Sequence, residues 1–197
     1  MKLYWIPKTR SFRAVWMLEE AGLPYERVRM EMGNLANPEF RAINPMMKVP
    51  ALEDGDARLA ESAAICAYVA DKAVDAGLAP ALGDSARGRY LHWLFFSSNC
   101  MEAAFTEKMA KVDLPTTAAG WGSFDRVMDV LEGAITPGPW ALGERFSAVD
   151  VMFGTDLGFG MGLLKVIEPR PAFTAYLERC HARPAFQRAL AIEAAGV

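Results

Sequence analysis

The stretch from Asn44 to Ser62, NPMMKVPALEDGDARLAES, decides how the chain is read. It holds no His and no Cys, so neither a metal-ligand spacing nor a thiol pair can be written across it. Pro50 stands directly before the strand-like run Ala51 to Glu53, a position open to proline because the first residue of a strand can lack a donor. Arg58 to Ala60 forms a second short run. Asp54, Gly55 and Asp56 between them offer the positive backbone angle that a tight hairpin needs. After Ser62 the apolar residues Ile65, Tyr68 and Val69 recur at helical spacing. The stretch predicts loop, strand, hairpin, strand and helix, with the polar pair Glu61 and Ser62 opening the helix.

Upstream, Leu3 to Ile6 reads as a short strand ended by Pro7. From Ser11 the period becomes helical through Phe12, Val15, Trp16 and Leu18, and Gly22 followed by Pro24 ends it. Tyr25 to Met30, YERVRM, alternates bulky and charged side chains and predicts a second strand. A short helix is expected around Pro38 to Ala42. The order β, α, β, short α, β, β, α is an α+β domain spanning residues 1–76, with an antiparallel hairpin late in a mixed sheet.

Beyond Ala76 the strand signals fade. AGLAPALGDS marks a linker at 77–84, and residues 85–197 read as an all-helical domain. Its helices are expected at Ser85 to Ala110, Thr117 to Ala134, Ser147 to Leu163, Phe173 to His181 and Pro184 to Ala194, with GWGSF and TPGPW as interruptions. Ser147 and Asp150 have the spacing of a capping box, in which serine accepts from the third residue's amide and the acid reaches back. GFGMG at 158–162 follows no strand and lacks the rest of a dinucleotide fingerprint, so close helix packing is the expectation there.

Composition narrows the function. Of the 197 residues, 52% are hydrophobic and 23% charged, and the net charge is -3. That is globular composition without the basic footprint of a nucleic-acid binder. No run of about 18 apolar residues predicts a membrane span. MKLYWIPKTR reaches a proline and charges too early for a signal peptide, so the cytoplasm is the expected address. Cys66, Cys100 and Cys180 lie far apart and predict buried thiols rather than a redox pair or a zinc site. His92, between Leu91 and Trp93, reads as a packed histidine, not a base.

Taken together, these residues resemble the glutathione S-transferase family. The Asn44 to Ser62 stretch is similar to its signature, where a loop ending Val-Pro enters a strand and a Glu-Ser pair starts the next helix. MKLYWIPKTRSFRAVWMLEEAGLPYE resembles its first strand and helix, and RFSAVDVMFGTDL its second-domain capping segment. The resemblance covers nearly the whole chain. It implies a thioredoxin-like N-terminal domain, a helical C-terminal domain, a homodimer, glutathione as co-substrate and no prosthetic group or metal.

It also implies site residues. A cis bond before Pro50 would expose the backbone N–H and C=O of Val49 to the cysteinyl backbone of glutathione, as a short added strand. Ser62 and the helix start would bind the γ-glutamyl carboxylate, Glu61 its ammonium, and Lys48 a peptide carboxylate. An ordinary helix cap is the other role open to the Glu61 and Ser62 pair, and both roles can hold together.

The chemistry requires a thiolate, and a thiol with an ordinary pKa of about 8.5 is mostly protonated at neutral pH. A hydroxyl donated to the sulfur would stabilise the anion by roughly 1.5 to 3 kcal/mol. The turn after the first strand contains Thr9, Arg10 and Ser11, but no Tyr or Cys. Counting back from Arg13-Ala14, which resembles the Arg-Ala of theta-like members, selects Thr9. Alignment with the beta-like SPGACS form selects Ser11 and puts Arg10 where that form has its cysteine. The two alignments disagree, so either Thr9 or Ser11 is the donor, with Arg10 assisting by charge, and Ser11 competes as the helix N-cap.

A small apolar electrophile would lie between the domains, with Asn99, Met101 and Phe105 as lining residues. The leading reading is an enzyme, a glutathione transferase. A glutathione-dependent isomerase or peroxidase, and a non-catalytic ligand- or protein-binding member of the fold, are the alternatives.

Overall fold

A computed structural model describes residues 1–196. The chain divides into two compact units, one of residues 1–78 together with the chain from Arg183 onward, the other of residues 79–182. The expected linker falls at the division. The final helix does not follow the expectation: by packing it belongs with the first unit, although its sequence continues the helical half.

In the first unit, strands β1 (Lys2–Trp5), β2 (Glu26–Arg29), β3 (Ala51–Asp54) and β4 (Ala57–Leu59) form one sheet in the order β2-β1-β3-β4. β1 runs parallel to β2 and antiparallel to β3, and β3 and β4 form the predicted hairpin, with Gly55 at φ +60° in its turn. Leu3, Trp5, Ala51 and Leu52 carry no exposed surface and form the sheet's contribution to the core.

Helix α1 (Ser11–Ala21) is buried from Ser11 to Leu18. It ends as its sequence predicts: Gly22 takes the left-handed conformation at φ +64° and its amide returns to the Leu18 carbonyl. Helix α2 (Pro38–Ile43) is capped by the Asn37 side chain, which accepts from the Phe40 amide at 2.8 Å. Helix α3 (Ser62–Lys72) follows the hairpin.

The helical unit contains α4 (Ala86–Phe95) and α5 (Glu102–Ala110), joined through a π-helical segment at Phe96–Met101. The single helix expected there is continuous, but wider in its middle. Helix α6 (Phe124–Ile135) starts seven residues after the expected Thr117, because Gly122 sits at φ +80° and Ser123 then caps a new helix by accepting from the Arg126 amide. Helices α7 (Ala148–Gly158) and α8 (Pro171–His181) complete the unit.

The predicted capping box at Ser147 and Asp150 is present, and Asp150 does more than cap. It accepts from the amides of Ser147 and Ala141, both at 2.8 Å, and from the Tyr176 hydroxyl at 2.6 Å. Burial pushes its carboxyl pKa up, and these bonds pull it back. A side chain at Gly160 would meet Ile167 Cδ1 at 2.4 Å, so close packing explains this glycine of the GFGMG run. Cys66 and Cys180 are buried as expected, while Cys100 is only half-buried.

The last helix, α9 (Pro184–Ala195), packs on α1 in the first unit. Phe186 stands edge-on to Phe12 and Trp16, with ring centroids at 5.4 and 4.9 Å. Arg183 makes two 2.6 Å bonds to the Glu20 carboxylate, a planar fork that fixes direction as well as distance.

Candidate functional site

Strand register gathers the predicted residues of the first unit at one end of the sheet. Tyr4 pairs with Ala51 across β1 and β3, and continuing that antiparallel register sets Pro50 beside the end of β1. Leu52 pairs with Leu59 across β3 and β4, which brings Glu61 and Ser62 to the same level. The turn at 7–10, the loop into Val49 and the start of α3 are therefore neighbours, although 40 to 50 residues separate the turn from the others. α1 and α3 both begin at this end, and helix N-termini favour an anion.

The Val49–Pro50 peptide is cis. Val49 lies outside the strands, is half-buried, and its N–H and C=O make no bond among the described residues. The loop before it is shaped by Asn44, a buried residue that sequence reasoning missed. Asn44 Nδ2 donates to the Lys48 carbonyl at 2.7 Å, and its Oδ1 accepts from the Met46 amide at 3.0 Å. An asparagine at the end of α2 and before a proline was the available signal. The Lys48 side chain is exposed.

Glu61 precedes α3 at φ +69° and ψ +116°, an unfavourable conformation for a residue with a Cβ. Its side chain makes no capping bond. The first helical bond runs from the Ile65 amide to the Glu61 carbonyl at 3.0 Å, so the amides of Ser62, Ala63 and Ala64 are left without partners among the described residues. The Ser62 hydroxyl is likewise unbonded among them, half-buried at the first helical position. The ordinary side-chain cap, the other role open to the pair, is absent among the described residues.

In the turn, the Thr9 hydroxyl donates to the Ile6 carbonyl at 2.7 Å, and the Thr9 and Ser11 hydroxyl oxygens are 2.9 Å apart. The Ile6 amide donates to Ser11 Oγ at 3.3 Å and the Ser11 amide to Thr9 Oγ1 at 3.2 Å. Ser11 is not the N-cap: Arg10 holds that position, Ser11 lies inside the helix, and Thr9 supplies the local bond. The reason is the short circuit just described, which turns the Ser11 hydroxyl back toward β1. Ser11 is 0% exposed, whereas Thr9 and Arg10 are half-buried. The nearby Tyr4 donates to Glu53 at 2.5 Å, and burial with that bond pushes its pKa up to about 12.

In the helical unit, Asn99 is exposed, Met101 is 0% exposed and Phe105 is packed against Phe124. None of the three lines the cavity of about 600 Å³ found there, whose walls include Glu107, Lys108, Lys111, Leu114 and Phe124. Glu107 is fixed by Trp121, whose Nε1 donates at 2.7 Å. Among the described residues no group of three or more His, Cys, Asp or Glu could hold a metal ion, and no helix is long and apolar enough to cross a membrane.

Residues 1–71 match the family model for the glutathione S-transferase N-terminal domain, and residues 115–179 match that for the C-terminal domain. Glutathione S-transferase theta-3 of Mus musculus is 30% identical over 198 residues, covering 92% of this chain and 82% of the relative. A glutathione transferase structure from Methylococcus capsulatus superposes with a TM-score of 0.84 at 33% identity, covering 98% of each chain. A sphingomonad glutathione S-transferase complexed with glutathione gives 0.82 at 31%, covering 98% of this chain and 99% of that one. With a four-stranded mixed sheet, its helical partner unit and these matches over both parts, the chain belongs to the glutathione S-transferase family.

Proposed function

We propose that the protein is a glutathione transferase that binds glutathione at the gathered end of the sheet and activates its thiol as the thiolate. The observation that carries this reading is the set of unused backbone groups there: Val49 N–H and C=O, and the three first amides of α3. An extended peptide satisfies the Val49 pair as an added strand. A carboxylate satisfies the α3 amides and the Ser62 hydroxyl, and Glu61 supplies the negative charge for the adjoining ammonium. Lys48 reaches a second carboxylate from the loop.

Thr9 is the hydroxyl we assign to the sulfur, with Arg10 adding positive charge and Ser11 retained behind it as the support of the turn. Thr9 is the member of the pair with solvent access, and rotating its proton from the Ile6 carbonyl to the sulfur needs no backbone movement. The thiolate then forms a bond to the electrophilic carbon, whose leaving group departs with the bonding electrons, or whose π bond takes them up in an addition. The thiol proton passes to solvent. Glutathione is a co-substrate, the partner is a small apolar electrophile, and the working form is a cytoplasmic homodimer.

Because Thr9 also bonds within the chain, a binding protein without turnover is the second reading. Titrating the thiolate absorbance of bound glutathione separates the two. A transferase lowers the bound thiol's pKa by about one to two units. Thr9→Ala should return it most of the way, and Ser11→Ala should act mainly on stability. Saturable binding with an unshifted pKa would sink the catalytic reading.

A further inference from the structure

The turn that carries Thr9 is held by a residue far away in sequence. Lys8 has φ +58°, a left-handed conformation that a lysine adopts at a cost, which an outside tie can offset beside the local bonds of the turn. The Lys8 amide donates to Glu193 Oε1, and Glu193 lies on α9, 185 residues away within the same compact unit. α9 in turn is fixed to α1 through Phe186 and the Arg183 fork, and Arg188 Nε adds a 2.8 Å bond to Glu19. Beyond its end, the Gly196 carbonyl accepts from Arg29. The second oxygen of Glu193 is buried and has no hydrogen-bond partner among the described residues, which is a costly way to use a carboxylate unless the first oxygen's bond matters. Burial accordingly raises the Glu193 pKa, while the Lys8 amide and charge pull it back.

We propose that Glu193 is a positioning residue for the thiol-activating turn: its carboxylate, delivered by α9, fixes the Lys8 backbone and with it the approach of Thr9 to the glutathione sulfur. The proposal rests on the assignment of Thr9 above. The residues that hold the peptide, Val49, Glu61 and Ser62, belong to other segments, so loss of the tie should leave glutathione affinity largely intact and impair activation.

Glu193→Met keeps the side-chain length, removes the acceptor and removes a half-buried carboxylate with one buried, poorly satisfied oxygen, so its melting temperature should stay within a few degrees of wild type. Its bound thiol should titrate about one unit higher, and its kcat at neutral pH should fall about ten-fold with KM for glutathione within about two-fold. Glu193→Gln retains an oxygen that can accept from the Lys8 amide and should recover most of both losses. A folded Glu193→Met with wild-type thiol pKa and kcat overturns the proposal, as do equal losses in the Met and Gln variants. A Met variant that does not fold makes Glu193 a structural tie and overturns it too. An unshifted thiol pKa in the wild type removes the reading of Thr9 itself, and this proposal with it; a shifted wild type with indifferent variants removes only the role of Glu193.

Discussion

Helices α3 and α7 each begin with a serine and an acid, and they treat their first amides in opposite ways. At α7, Ser147 and Asp150 stand three residues apart, close enough for each side chain to reach the other's side of the helix start, and every bond stays inside the molecule. At α3, Glu61 and Ser62 are adjacent, so no such exchange is geometrically open. The amides of Ser62, Ala63 and Ala64 remain unpaired among the described residues, behind a residue at φ +69°. The spacing of two residue types separates a helix start closed within the chain from one whose first amides stay open.

The largest effect should come from the closed start. Asp150→Ala leaves two buried amides and the Tyr176 hydroxyl without their acceptor, at a cost of at least about 3 kcal/mol from roughly 1 kcal/mol or more for each unsatisfied donor. Chemical denaturation measures it. The folded fraction should bind glutathione as the wild type does. A loss under about 1 kcal/mol would mean that water replaces Asp150 easily, and the contrast between the two starts would collapse.

The open start should respond in the other currency. Ser62→Ala is expected to weaken glutathione binding about ten-fold, while stability changes by no more than about 0.5 kcal/mol because the hydroxyl has no partner to lose among the described residues. Calorimetric titration beside a denaturation curve reads both. Comparable losses in the two measurements would return Ser62 to the role of a structural cap.

How far the sequence revealed this arrangement depended on distance along the chain. The hairpin, the end of α1 at Gly22 and the capping box are local, so periodicity and spacing were sufficient to read them. The start of α6 was misread because the expected helix ran on through the GWGSF interruption, where the backbone at Gly122, φ +80°, ends any helix. The Ser11 hydroxyl looked like a cap because its role depends on folding back to Ile6, a turn geometry that residue types alone do not specify. Val49, Glu61 and Ser62 were singled out through a resemblance, and the strand register supplies the physical reason that they lie near the turn. Glu193 was illegible: nothing near it in sequence points to an amide 185 residues away. The same holds for α9, whose helical sequence carries no mark of the unit on which it packs.

The smallest expected effect, and the one that tests the contrast most sharply, is at Glu61. A glutamate at φ +69° and ψ +116° stores roughly 1 to 3 kcal/mol of backbone strain. Glycine takes this conformation freely but gives the unfolded chain more freedom, which returns about 0.5 to 1 kcal/mol of the gain. Glu61→Gly should therefore stabilise the fold by about 1 kcal/mol while weakening glutathione binding, since the carboxylate assigned to the ammonium is gone. The corresponding strain is missing at α7, where Ser147 is extended at φ -148°, so Ser147→Gly has nothing to relieve and should only destabilise. Opposite signs for the two glycine substitutions would mean that α3 keeps a strained entry for its ligand. If Glu61→Gly is also destabilising, the entry to α3 is held by the fold's own interactions, and the openness of its first amides is no sign of a site kept for a substrate.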